Sequence, residues 1–127
     1  MPLVLVVDDE PAILRLLSLM LRGLGCETIS AADAEKALLY LETSEPSLII
    51  SDVRLPGMNG VDFAERVKAD PRFTETPVVL ISAFGEPNGN GSGHVADRFL
   101  AKPFDFDALT EVLRSYLDLE GEEPAPA

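Results

Sequence analysis

Ser47-Leu48-Ile49-Ile50-Ser51-Asp52-Val53-Arg54-Leu55-Pro56-Gly57-Met58-Asn59-Gly60 runs from a short apolar stretch into a carboxylate and then into a Pro/Gly turn. A brief apolar run bounded by turn residues reads as a strand buried on both faces, and open α/β sheets bind ligands outside the carboxyl ends of such strands. Asp52 therefore stands where chemistry is expected. Working outward, Leu3-Val4-Leu5-Val6-Val7 runs into Asp8-Asp9-Glu10, Val78-Val79-Leu80-Ile81 into Ser82-Ala83, and Arg98-Phe99-Leu100-Ala101 into Lys102-Pro103. If these strands lie parallel and adjacent, one edge collects carboxylates, a hydroxyl and an ammonium, the set an acyl-phosphate site requires.

Between the runs the spacing turns helical. Pro11 suits an early helical position, with Ile13, Leu16, Leu17, Met20 and Leu24 as a core stripe and Gly23 and Gly25 as the stop. Leu14 and Leu21 widen that stripe, through deep burial or as a partner surface. Cys26 to Ser30 reads as an edge strand. Asp33 caps a helix with Ala34, Ala37, Leu38 and Leu41 inward. Asn59 or Gly60 opens a third helix, with Val61, Phe63, Ala64 and Val67 as its core face and Asp70-Pro71 as its end. Val95 to Ala101 reads as the fifth strand, and Asp105 or Asp107 starts a last helix carrying Leu109, Val112, Leu113, Tyr116 and Leu117.

Phe84 to Val95 breaks the rhythm with four glycines and a proline where another helix is due. An interior Gly costs a helix about 1 kcal/mol against Ala and a Pro about 3, so a Gly-rich loop is expected in its place. The fold class expected is α/β, a doubly wound five-stranded parallel sheet in the order 2-1-3-4-5, which sets Asp8 and Asp9 beside Asp52.

Composition bounds the partners. The chain has 127 residues, 10 basic against 22 acidic, for a formal charge of −12. No basic stripe is present, so direct nucleic-acid binding is not expected. No apolar run approaches the length of a membrane span, no basic segment precedes the first strand, and Cys26 is the only cysteine. A cytoplasmic protein without membrane contact is the expectation. His94, the sole histidine, has no metal-ligand partner spaced around it and reads as a solvated loop residue.

Val-Asp-Asp-Glu, Ser-Asp-Val-Arg-Leu-Pro-Gly-Met-Asn-Gly, Ile-Ser-Ala and Ala-Lys-Pro-Phe occur together and in this order. In this the chain resembles the receiver domain of two-component response regulators, of the single-domain chemotaxis-regulator kind, from about Leu3 to Tyr116. A receiver domain over residues 1–119 and a disordered acidic Pro/Ala tail over 120–127 are expected.

The resemblance implies that Asp52 accepts a phosphoryl group from a sensor histidine kinase or phosphotransfer protein. It implies Mg²⁺ or Mn²⁺ held by Asp9, Asp52 and the backbone carbonyl of Arg54, with Asp8 acting through water. Lys102 would pair with Asp52 and then with the phosphoryl group, aided by the Ser82 hydroxyl and backbone N–H groups of Val53 and Ala83. Ser82 and Phe99 would form a switch pair, and Lys102-Pro103 a cis peptide. Arg54 and Phe84 would flank the path of a hydrolytic water.

Output is expected through a downstream protein partner, with no enzymatic activity beyond self-catalysed phosphotransfer and autodephosphorylation. The oligomeric state stays open, and the missing fourth helix speaks against a dimer through that face. Two rivals remain. One is a receiver-like module that binds partners without phosphorylation. The other is a phosphatase of the haloacid dehalogenase type, against which Val53-Arg54 after Asp52 replaces the usual Asp-x-Asp. A nucleotide-binding domain would need a Gly-x-Gly-x-x-Gly or Walker loop that is absent here.

Overall fold

The computed structural model describes residues 1–82 and 96–117. Five parallel strands, β1 (Leu3–Val7), β2 (Glu27–Ala31), β3 (Leu48–Asp52), β4 (Val78–Ser82) and β5 (Arg98–Ala101), form one sheet in the order β2-β1-β3-β4-β5. Among the described residues the helices are α1 (Pro11–Gly23), α2 (Ala34–Leu41), α3 (Gly60–Ala69) and α4 (Phe106–Tyr116). The α/β fold and strand order are those expected. The Gly-rich substitute for a helix between β4 and β5, and the tail, lie outside the described residues. None of the described helices is long and apolar enough to cross a membrane.

Strand residues alternate between two cores, as a period of two requires. Val4, Val6, Leu48, Ile50, Val79, Ile81 and Leu100 meet Leu17 and Leu21 of α1 and Leu109, Val112 and Leu113 of α4. Leu5, Val7, Ile49, Val78 and Leu80 meet Ala34, Ala37 and Leu41 of α2 and Phe63, Ala64 and Val67 of α3. Each large buried side chain contributes roughly 1.5–3 kcal/mol, so the sheet's central position is the main source of stability.

The helix ends follow local chemistry. Asp33 accepts a hydrogen bond from the Lys36 N–H at 2.7 Å, Asn59 from Asp62 at 2.9 Å and Asp105 from Ala108 at 2.8 Å. Asn59 and Asp105 are thus the caps between the alternatives the sequence left open. At the end of α1, Gly25 takes φ 87°, the Gly25 N–H donates to Arg22 and the Cys26 N–H to Leu21. Such a left-handed terminator favours glycine.

Three expectations need correction. Leu16 is 43% exposed, because the core side of α1 runs through Leu17 and Leu21, both fully buried. β2 starts at Glu27, since the Cys26 N–H is committed to the helix end. β5 starts at Arg98, since Asp97 spends its side chain on the Val78 N–H at 2.8 Å. Phe73, in the loop before β4, is 1% exposed and was not marked as core by any periodicity.

Candidate functional site

Two residues beyond Val6, Ile50 and Leu100, the same alternation brings Asp8, Asp52 and Lys102 to the carboxyl edge of the sheet. The Lys102 ammonium lies 3.2 Å from Asp52 Oδ2 and 3.6 Å from Asp8 Oδ2. Asp8 is fully buried, Asp52 is 7% exposed and Asp9 is exposed. Carboxylate oxygens of Asp8, Asp9 and Asp52 all lie within 4.8 Å of one another. One ammonium thus serves two of the three clustered carboxylates.

The remaining hydrogen bonds leave a gap. Asp8 Oδ1 accepts the Glu10 N–H at 2.9 Å and Asp52 Oδ1 the Arg54 N–H at 3.2 Å. Asp8 Oδ2 is buried without a hydrogen-bond partner and keeps an ion-pair contact to Lys102. Burial pushes the Asp8 carboxyl above the usual carboxylate range; the Glu10 N–H opposes this, and the charge of Asp52 adds to it. Burial also works against the Lys102 ammonium, yet the hydrogen bond to Asp52 and the charges of Asp8, Asp52 and Glu10 outweigh it and raise its pKa.

This donor set suits a hard divalent cation. All three side chains offer oxygen and, among the described residues, no His or Cys joins them, which favours Mg²⁺ or Mn²⁺ over zinc. The orphaned Asp8 oxygen is what such an ion, or a water on it, would satisfy. Beside Asp9 an open cleft is lined by Val53, Arg54, Leu55, Pro56 and Asn59.

Ser82 is buried at the end of β4, opposite Ala101, and its carbonyl accepts the Lys102 N–H at 2.9 Å. Phe99 is half-buried against the core on the α2/α3 side. The Lys102-Pro103 peptide is cis. Ala83, Phe84 and His94 lie outside the described residues.

The Val53 N–H does not serve the site. It donates to the Ile81 carbonyl at 2.9 Å, continuing the β3-β4 ladder one residue past Asp52. The N–H aimed at the carboxylate belongs to Arg54. Donors alternate sides along a strand, and which side Val53 faces follows from the sheet pairing, which sequence alone leaves undetermined.

The family model for the response regulator receiver domain matches residues 4–114. The chain belongs to the response regulator receiver family. It is 36% identical over 116 residues to the response regulator Rre1 of Synechocystis, covering 89% of this chain and 50% of that protein. Among solved structures, the chemotaxis response regulator CheY4 of Vibrio cholerae superposes with a TM-score of 0.86 at 33% identity, covering 92% of this chain and 99% of that one. The response regulator TrrA of Thermotoga maritima, solved in complex with Mg²⁺ and BeF, gives 0.84 at 32% identity, covering 92% and 100%. The chain spans about half the length of the curated relatives it matches.

Proposed function

We propose that this chain is a phosphoacceptor signalling domain in which Asp52 takes a phosphoryl group from a phosphohistidine on a sensor kinase or phosphotransfer protein. The observation that carries this is the single ammonium of Lys102 set against both Asp52 and Asp8, with one Asp8 oxygen left without a hydrogen bond. In the transfer an Asp52 oxygen attacks phosphorus, the O–P bond forms as the N–P bond breaks, and the electron pair leaves on the imidazole nitrogen. Such a reaction asks mainly for positioning and charge neutralisation.

Lys102 supplies a mobile point charge that follows the phosphoryl oxygens once they replace the carboxylate as its partner. The Arg54 N–H holds Asp52 in place, and the Ser82 hydroxyl at the adjacent strand end donates to the transferred group. Asp9 and Asp52, with Asp8 behind them, would hold Mg²⁺, which supplies screening between the anionic nucleophile and the anionic donor. The Arg54 carbonyl would complete that set. Signal output then follows from a changed protein-binding surface, with Ser82 and Phe99 as the elements that move. The acidic surface leaves any nucleic-acid contact to other polypeptide segments or partners.

Intact-mass measurement after incubation with acetyl phosphate and Mg²⁺ tests this. The expected result is one phosphate-sized gain, abolished in Asp52→Asn and on removal of divalent ions. A chain that gains no mass from any phosphodonor, yet still binds a kinase, would be a partner-binding module working without phosphorylation.

A further inference from the structure

Ser51 is a fully buried polar side chain that follows the apolar run Leu48-Ile49-Ile50 and precedes Asp52 in β3. It pairs in register with Val7 on one side and Leu80 on the other, both members of the α2/α3-side core, and parallel neighbours in register share a face. A valine or isoleucine would suit that position better, because a buried hydroxyl is costly unless it is hydrogen-bonded. The Ser51 hydroxyl donates to the Asp52 carbonyl at 2.9 Å.

That carbonyl sits where the ladder runs out. Pairing between β1 and β3 ends at Val7 with Ser51, and the Asp8 N–H, alternating to the other side of β1, continues the β2 ladder to Ala31 at 3.1 Å. From the opposite side the start of α3 presses on the same peptide. A Cβ on Gly60 would collide with the Asp52 carbonyl oxygen and stand 2.9 Å from Val53 Cα, so only glycine allows this approach. The Gly60 N–H donates to the Val53 carbonyl at 2.8 Å. Hydroxyl, helix start and the β4 bond to the Val53 N–H together grip the short backbone stretch that aims the Asp52 carboxylate and the Arg54 N–H.

We infer that Ser51 is a positioning residue for Asp52: its hydroxyl fixes the Asp52 carbonyl where the sheet ladder stops, with Gly60 as the backstop. The inference rests on Asp52 being the phosphoacceptor, but its geometry can be tested without phosphate. In Ser51→Ala the carbonyl loses its donor and the peptide gains freedom to rotate.

The measurement is residue-resolved amide hydrogen exchange on the metal-free chain, with Mg²⁺ affinity by titration alongside. Val67→Ala, a core substitution in α3 away from the strand end, calibrates the effect of lost stability alone. Ser51→Ala should speed exchange at Arg54 and Gly60 at least about tenfold beyond what Val67→Ala does, leave Ile49 and Val79 at the calibrated rate, and weaken Mg²⁺ binding several-fold. Equal acceleration everywhere, or unchanged Mg²⁺ affinity, would make Ser51 a packing residue and overturn the inference. If the wild-type chain takes no phosphate, the phosphoacceptor reading fails on its own, while exchange and Mg²⁺ binding still decide the role of Ser51.

Discussion

The two ends of the sheet each hold an Asp–Lys pair, and they are built to opposite rules. At the amino end, Asp97 Oδ2 accepts from the Val78 N–H at 2.8 Å and lies 2.9 Å from the Lys68 ammonium, which also donates to the Thr76 carbonyl at 2.6 Å. The Tyr116 hydroxyl donates to the Asp97 carbonyl at 3.1 Å, so α3, β4, the start of β5 and α4 meet at one satisfied junction. At the carboxyl end Lys102 is divided between Asp52 and Asp8, and an Asp8 oxygen has no hydrogen bond. Local consistency marks the structural end, and its violation marks the functional one. The carboxyl end holds negative charge at the expense of stability, and a cation or a phosphoryl transfer can use that imbalance.

Removing Lys102 should break this contrast most strongly. Lys102→Met leaves Asp8 and Asp52 facing each other in a largely buried setting with no counter-ion. Removing one partner of a buried pair costs about 3–5 kcal/mol, and because Lys102 keeps 21% of its side chain exposed, about 2–3 kcal/mol is expected here. Urea denaturation without divalent ions reads that loss. Millimolar Mg²⁺ should restore most of it, since a cation takes over the neutralisation. Phosphate uptake should stay low with Mg²⁺ present. A variant as stable as wild type without metal would show that Lys102 is not holding the carboxylates together.

Asp8→Asn acts in the opposite direction and somewhat more weakly. The amide can still accept the Glu10 N–H while removing a buried charge whose second oxygen has no hydrogen bond and shares the Lys102 ammonium with Asp52. The cost of such an unsatisfied group is about 1–3 kcal/mol, so the metal-free variant should be more stable than wild type by up to that amount. It should also lose most of the stabilisation by Mg²⁺. The pH dependence carries a sign. Asp8 titrates higher folded than unfolded, so the folded chain binds more protons in the window from the ordinary Asp value, about 3.9, up to its raised value. Metal-free wild-type protein should therefore lose the Asp8 contribution as pH rises through that window. Asp8→Asn should flatten this segment of the stability profile.

Much of this edge could be read from sequence because a buried strand cannot run into a carboxylate without a reason. Val6-Val7-Asp8-Asp9 and Ile50-Ser51-Asp52 announce their strand ends, and turn chemistry at Pro56-Gly57 and Asn59-Gly60 places the next helix. What escaped were features set by pairing rather than by pattern. The side on which the Val53 N–H emerges depends on β4, so its bond to Ile81 had no local signal. Phe73 and Leu55 are buried inside irregular segments, where no period marks an inward face. Leu16 shows the converse failure, since an apolar residue at helical spacing can still face solvent. Ser51 carries no pattern signal of its own, because the carbonyl it bonds matters only once the sheet pairing places it one residue past the last β1-β3 pair.

The amino-end junction supplies the smallest effect and the sharpest control. Lys68→Met keeps the aliphatic stem and removes only the ammonium, so Asp97 retains its bond to the Val78 N–H. The pair is partly exposed, at 23% and 36% of the two side chains, and water replaces much of what is lost. Exposed ion pairs are typically worth about 0.2–1 kcal/mol, and the bond to the Thr76 carbonyl places this one near the upper end, about 1 kcal/mol. That loss should be identical with and without Mg²⁺ and should leave phosphate uptake on Asp52 at the wild-type rate. Both Asp–Lys pairs contain the same groups at opposite ends of one sheet, so charge type alone cannot explain their difference. If Lys68→Met instead lowered Mg²⁺ affinity, β5 would be transmitting strain from Asp97 to Lys102, and the two ends would have to be treated as one coupled device.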